Sequence, residues 1–288
     1  MPWPEQNAET AVAGVPFFPQ DYRQCGPASL AALLSWSGVE TTPQDLEPWL
    51  YIPEKGGSLQ PEMLAAARRS GRVPYVIPAT PEAMLAELEA GHPVLILQNN
   101  GISWYPAWHY AVVIGSDSDT ITLRSGDYET LRTDAAVFMR TWQRADYWAM
   151  VALPEDRLPV TASAATVVRA LEAYGRVQGE IGTRAGLEKA FVRWPNDPEV
   201  ALALGNLHYG AGEAEQAISV WQSGLAGGES AALRNNLAWV LAEEGRVAEA
   251  QAILEPALAA PAGFGAQVQA TAAFLECLEQ GGSLSTCQ

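Results

Sequence analysis

The spacing of apolar positions changes twice along this chain of 288 residues. After Cys25 the apolar residues Ala28, Leu30, Ala31, Leu33 and Leu34 recur at helical intervals. Segments 43–50, 61–70 and 81–90 each open on proline, which is tolerated in a first helical turn because its missing N–H has no partner to lose there. They read as three further helices, with a short strand at 74–77. From residue 94 the pattern becomes β-branched and β-spaced, giving strands at 94–98, 108–115, 119–124 and 128–131. A helix over 134–141 and a closing strand over 146–153 follow. A helical half followed by an antiparallel sheet predicts an α+β domain over 14–153, with 1–13 a flexible lead-in.

Pro154 and Pro159 mark 154–163 as a linker. From 164 to 280 the composition turns to Ala, Leu, Glu and Gln at helical spacing, and positions recur about every 33 residues. Leu204 and Gly205 align with Leu237 and Ala238, Gly212 with Gly245, Ala217 with Ala250, and Trp221 with Leu254. The frame extends back to Val167, Tyr174, Leu187, Ala190 and Pro195. This pattern resembles the tetratricopeptide repeat, a helix–turn–helix unit with small residues where its helices cross. Gly205, Ala217 and Gly224 take those small positions, and Asn196, Asp197 and Pro198 supply the turn between copies. Most of the apolar stripe is expected to pack helix on helix. The resemblance implies a concave face, where Asn206, Tyr209, Asn235, Asn236 and Trp239 are candidates to hold an extended peptide or a protein partner. Residues 281–288 read as a tail.

The candidate chemistry starts at Cys25. Gly26, Pro27 and the apolar pattern behind them place this cysteine at the start of a helix, where oriented N–H groups favour an anion. With an imidazole or cationic partner such a site lowers a thiol pKa into roughly the 3.5–7.5 range and makes a nucleophile. Of the three histidines, His92 sits between Gly91 and Pro93 and reads as a solvated turn residue, while His208 falls on a repeat helix at the surface or in its groove. His109 opens the buried run that ends at Gly115, behind the aromatic residues Trp104, Tyr105 and Trp108. An imidazole at the mouth of such a strand is placed to exchange a proton with sulfur.

Cys25-Gly26-Pro27-Ala28 together with His109-Tyr110-Ala111-Val112 resembles the C39 family of papain-like cysteine peptidases, which includes the double-glycine leader peptidases of peptide exporters. The resemblance covers about 14–152 and includes the segment Gly91 to Ile96. It implies a papain-like fold, with Cys25 the nucleophile, His109 the general base and acid, and an upstream glutamine completing the oxyanion hole. It also implies peptide or protein substrates, with small residues before the cut. Gln20 is the residue matched to that glutamine, although it stands five residues before Cys25 where the family usually has six; Gln24 is the weaker candidate and more naturally caps the helix. The family's third residue is an acid about sixteen positions after the histidine. Ser125 occupies that position here, Asp127 is the nearest carboxylate, and Asp117 and Asp119 lie in the preceding turn. Ser125, Asp127 and a backbone carbonyl all remain open as the group that orients His109.

Charge and cysteines narrow the alternatives. Seventeen basic and 33 acidic residues give a net charge of −16, which argues against nucleic acid or an anionic membrane and fits a partner with basic segments. No apolar run reaches the length of a membrane span. The first residues have neither the basic nor the apolar region of a signal peptide. A soluble protein is expected, either exported or periplasmic with its signal segment absent from this sequence, or cytoplasmic. Cys25, Cys277 and Cys287 form no zinc pattern, and neither metal nor cofactor is expected. Cys277 and Cys287 either close a small loop, as in an oxidising compartment, or lie separately on a helix face and a loose tail. Three functions are in play: a cysteine peptidase whose repeats recruit substrate or partner, an acyl-transfer enzyme of the same architecture that shares Cys25 and His109, and a weakly active or inactive peptidase-like adaptor that binds through its cleft and repeats.

Overall fold

A computed structural model describes residues 1–6, 8–19, 24–102, 104–179, 181–259 and 265–287. The chain forms two compact units, Met1–Thr183 and Arg184–Gln288. In the first, strand β1 (Thr10–Ala11) is followed by helices α1 (Cys25–Trp36), α2 (Pro43–Leu50) and α3 (Gln60–Arg69). Then come β2 (Val73–Val76), α4 (Pro81–Glu89), β3 (Val94–Asn99), β4 (Trp108–Ser116), β5 (Thr120–Ser125) and β6 (Tyr128–Asp134). Helix α5 (Ala135–Gln143), strand β7 (Ala149–Leu153) and helix α6 (Ala164–Gln178) complete it. The strands make one antiparallel sheet in the order β2-β7-β3-β4-β5-β6, with β1 added beside β4.

Helix α1 is the centre of this unit. Residues Gly26 to Leu34 are all buried, so the helix is enclosed on every side rather than amphipathic. It packs on β4 and β3 and on α2 and α3, and its Leu30, Leu33 and Leu34 share a core with Leu46, Met63, Leu95, Tyr110 and Met150. Its neighbour α2 begins with a capping box in which Thr42 Oγ1 accepts from Asp45 N and Asp45 Oδ2 accepts from Thr42 N.

Three expectations change. The segment 1–13 is docked, not a flexible lead-in. Trp3 is buried edge-on against Phe138, Gln6 bonds to Ser116, Asp117 and Ser118, and β1 pairs with Gly115 and Ser116. Gly115 permits that approach, because a Cβ there would lie 2.5 Å from Thr10 O. The stretch 154–163 is tied down as well: Thr161 donates from its N–H and its hydroxyl to Glu87. Helix α6 belongs with the first unit, packing on β2 and α3 with Val167 and Leu171 fully buried, so the compact unit ends at Thr183 and not at the prolines. Apolar residues that match a repeat pattern also suit any other helix partner, and here the sheet edge is that partner.

Helix α7 (Ile181–Arg193) crosses into the second unit, which continues with α8 (Pro198–Gly210), α9 (Ala214–Gly227), α10 (Ala231–Glu243), α11 (Val247–Ala259), α12 (Gly265–Glu279) and the short α13 (Leu284–Cys287). Helices α8 and α9 pack as one hairpin and α10 and α11 as the next. Asp197 caps α8 by accepting from Glu199 N and Val200 N. Gly212 and Gly245 take the same left-handed turn, φ 76° in both. Gly205 lies against the Trp221 indole and Gly224 against the Ala201 methyl, and no side chain would fit at either. Cys277 and Cys287 are disulfide-bonded, which fastens the tail to α12. Among the described residues no helix is long and apolar enough to cross a membrane.

Candidate active site

The first residue of α1 is Cys25, and the second residue of β4 is His109. Because α1 packs across β4, the helix start and the strand mouth face one cleft of about 960 Å³. Cys25 and His109 both line it, with Leu97, Tyr110 and Gly126 beside them. One wall is the loop Lys55 to Pro61, and the other is Pro106, Ala107 and Trp108 with Ala145 and Asp146.

Ser125 is the group against the imidazole. It ends β5 and is buried, and its Oγ lies 2.8 Å from His109 Nε2. Asp127 is exposed, and Asp117 is held by Arg132 and by the N–H groups of Asp119 and Thr120. With Nε2 engaged, Nδ1 is the nitrogen left for proton exchange. A serine fixes the ring's rotation as a carboxylate would, but supplies no charge to stabilise imidazolium.

Burial dominates the electrostatics. It pushes the Cys25 thiol above its ordinary range, against the opposing pull of backbone hydrogen bonds at Tyr110, Gly26 and Cys25 itself. Burial also pushes His109 below the usual imidazole value. Both shifts favour the neutral forms, thiol and imidazole, over an ion pair. The low thiol pKa expected from the helix start is therefore reversed: N–H groups aid the anion, but the loss of water costs more.

The other residues singled out in the sequence are placed as follows. Gln20 lies outside the described residues. Gln24 makes no cap bond; its Nε2 donates to Glu47 Oε2 on α2 at 3.3 Å. His92 is a buried residue and not a solvated one, with Nδ1 2.7 Å from Glu87 Oε2. His208 pairs with Glu213 at 2.5 Å. Asn236 donates to Asn206, Thr271 donates to Asn235, Tyr209 and Trp239 both donate to Glu243, and Trp239 stacks on Phe274. These five candidates for a concave face thus join neighbouring helices of the second unit.

Sequence reasoning missed the loop at 55–61 and the turn at 145–147. Asp146 and Tyr147 hold φ of 52° and 55°, a region that side chains seldom occupy, and Tyr147 is kept there by its N–H to Trp142 O and its ring against the Trp142 indole. Asp is among the residues that enter that region more readily, but nothing in Tyr147 signals it. Among the described residues no group of three or more His, Cys, Asp or Glu is placed to hold a metal ion.

Residues 12–150 match the model of the Peptidase_C39 like family, and residues 231–256, which span α10 and most of α11, match a tetratricopeptide repeat model. No curated protein matches the chain. A putative C39-like peptidase from Bacillus anthracis is similar at 16% identity and a TM-score of 0.43, covering 51% of this chain and 98% of that one. The peptidase domain of Streptococcus ComA, a bi-functional ABC transporter, is similar at 22% identity and 0.40, covering 49% and 99%. A double glycine motif protease from an AMS/PCAT transporter, solved with its leader peptide, is similar at 19% identity and 0.38, covering 51% and 98%. Residues 12–150 of this chain are a C39-like peptidase domain, followed by a helical region that carries a tetratricopeptide repeat.

Proposed function

We propose that the chain is a cysteine peptidase in which Cys25 attacks a peptide carbonyl and His109 moves the proton. The observation that carries this reading is the shared cleft, with Cys25 on a helix start, His109 on the facing strand, and Ser125 Oγ 2.8 Å from the imidazole. In the reaction, His109 Nδ1 takes the thiol proton as sulfur bonds to the carbonyl carbon. The tetrahedral oxyanion draws on the backbone N–H at Cys25 and the side-chain amide of Gln20. Collapse breaks the C–N bond, and His109 gives its proton to the leaving amine. Water, deprotonated by His109, then bonds to the thioester carbon, the C–S bond breaks to release the acid, and His109 returns the proton to sulfur. The leader peptide bound to the transporter protease supports peptides as the substrate class, and the repeat supports a protein partner. The Cys277–Cys287 bond supports an oxidising compartment.

A second reading, a peptide-binding adaptor with little turnover, draws support from the uncharged Ser125 and the raised thiol pKa. Turnover of a quenched-fluorescence peptide library by the full chain, compared with Cys25→Ala and His109→Ala, separates the two. Cleavage lost in both variants is expected. Cleavage that survives Cys25→Ala would remove the peptidase reading, and binding without cleavage in the parent chain would favour the adaptor.

A further inference from the structure

We propose that the described residues of the connection between β3 and β4, with Trp108 at the start of β4, form an apolar arm that recognises large apolar side chains of the peptide substrate, an inference that rests on the peptidase reading above. Three large apolar residues of the connection and the first residue of β4 are open to solvent: Ile102, Trp104, Tyr105 and Trp108 are 47%, 83%, 74% and 55% exposed. Scattered apolar residues are normal on a surface, but such a concentration on one short connection marks a binding surface.

Hydrogen bonds hold the described residues of the arm. Asn99 is buried at its base, and its Oδ1 accepts from Gly101 N at 3.0 Å and Ala107 N at 2.9 Å, pinning both ends of the connection with one atom. Arg144 donates to Asn99 O at 3.0 Å and Gly101 O at 2.5 Å. Asn100 N donates to Ala107 O, and Ile102 and Tyr105 exchange backbone hydrogen bonds. Gly101 has no room for a side chain, because a Cβ would lie 2.8 Å from Ala107 N and closer still to Tyr105 O. A surface fixed in advance loses little entropy when it is covered.

Continuity identifies the occupant. Pro106, Ala107 and Trp108 belong at once to the arm and to the wall of the cleft that holds Cys25 and His109. An extended peptide leaving the cleft therefore runs onto the arm, where aromatic and branched side chains cover the indole and phenol faces. A lipid surface is the competing occupant. The net charge of −16 disfavours an anionic bilayer, and an arm clamped to the cleft serves a cleft ligand better than a bilayer.

The test measures binding in Cys25→Ala, so that it needs no turnover and its failure is distinct from failure of the peptidase reading. Two fluorescein-labelled peptides are compared by anisotropy, one with Phe and Leu at alternate positions and one with Ser and Ala in their place. The apolar peptide binds more tightly, and Trp104→Ala with Tyr105→Ala weakens it about tenfold or more while leaving the Ser/Ala peptide unchanged. Asn99→Ala gives the same selective loss, and Asn99→Asp, which keeps the oxygen acceptor, restores binding. Equal binding of the two peptides by the parent, or no loss in the double variant, overturns the proposal. So does co-sedimentation with phosphatidylcholine vesicles that the double variant abolishes while peptide binding is untouched.

Discussion

At the scale of residues, the site is governed by the competition between dehydration and hydrogen bonding. Cys25 sits where a helix start favours thiolate, yet its thiol is raised by burial, and His109 is lowered by the same cause. The signs fix the pH dependence. A thiol with a raised pKa stays protonated through neutral pH, so alkylation of Cys25 by iodoacetamide climbs only as the pH rises past the usual thiol range. A preformed ion pair would instead give a rate already flat from mildly acidic pH. Hydrolysis needs neutral His109, so its acidic limb falls below the usual imidazole value of about 6.5. Replacing Ser125 with Asp adds the missing charge beside Nε2, raises the His109 pKa and moves that limb to higher pH, which a kcat/KM profile would record. Ser125→Ala releases the ring and lowers kcat/KM without altering the fold. The position of Ser125 was legible from the spacing after the histidine that the family resemblance implies. That its hydroxyl, and not Asp127, meets the imidazole was not, because Asp127 sits exposed in the turn after β5.

Among the elements, α4 and the turn before β3 are joined by a buried carboxylate–imidazole hydrogen bond that the mechanism does not use. Glu87 is 0% exposed, and its carboxylate takes His92 on one oxygen and Thr161 on the other. Burial alone would raise its pKa, but the bonds from His92 and Thr161 outweigh it and lower the carboxyl below its ordinary value. A lowered folded pKa contributes stability that is present above the unfolded value, about 4.3, and is lost as the pH falls through the folded one. Removing Glu87 strands His92 and Thr161, and Glu87→Ala is expected to cost about 1–3 kcal/mol in urea unfolding at pH 7. The deficit should shrink in acid. In the repeats, Gly205→Leu would drive a side chain into the Trp221 indole and cost roughly 1–3 kcal/mol by the same measurement. That glycine was readable from the repeat period. The role of His92 was hidden, because a residue between Gly91 and Pro93 looks like a turn until α4 brings Glu87 beneath it.

At the scale of the whole molecule, the division falls within α7 and not at the proline-rich stretch. A fragment ending at residue 163 lacks α6 and exposes the surfaces of β2 and α3 that Val167 and Leu171 cover. A fragment ending at 183 keeps them. The longer fragment is expected to melt cooperatively with an unchanged Cys25 alkylation profile, and the shorter one several degrees lower, as differential scanning calorimetry would show. The net charge acts over the same length scale. Association of a Lys- and Arg-rich peptide should slow as sodium chloride rises, since the attraction is screened beyond about 8–10 Å at physiological salt.

Local chemistry was enough to determine the helix at Cys25, the strand at His109, the alternation of α and β segments, and the repeat period with its glycines, because each depends on neighbours within a turn or a pleat. Tertiary structure alone decided what those residues experience. Burial reversed the thiol's expected shift, α4 enclosed His92, the sheet edge claimed α6, and Asn99 and Arg144 fixed the aromatic arm. Each of these depends on contacts between residues far apart in the chain, and on the water those contacts exclude, for which no spacing rule in a linear sequence stands.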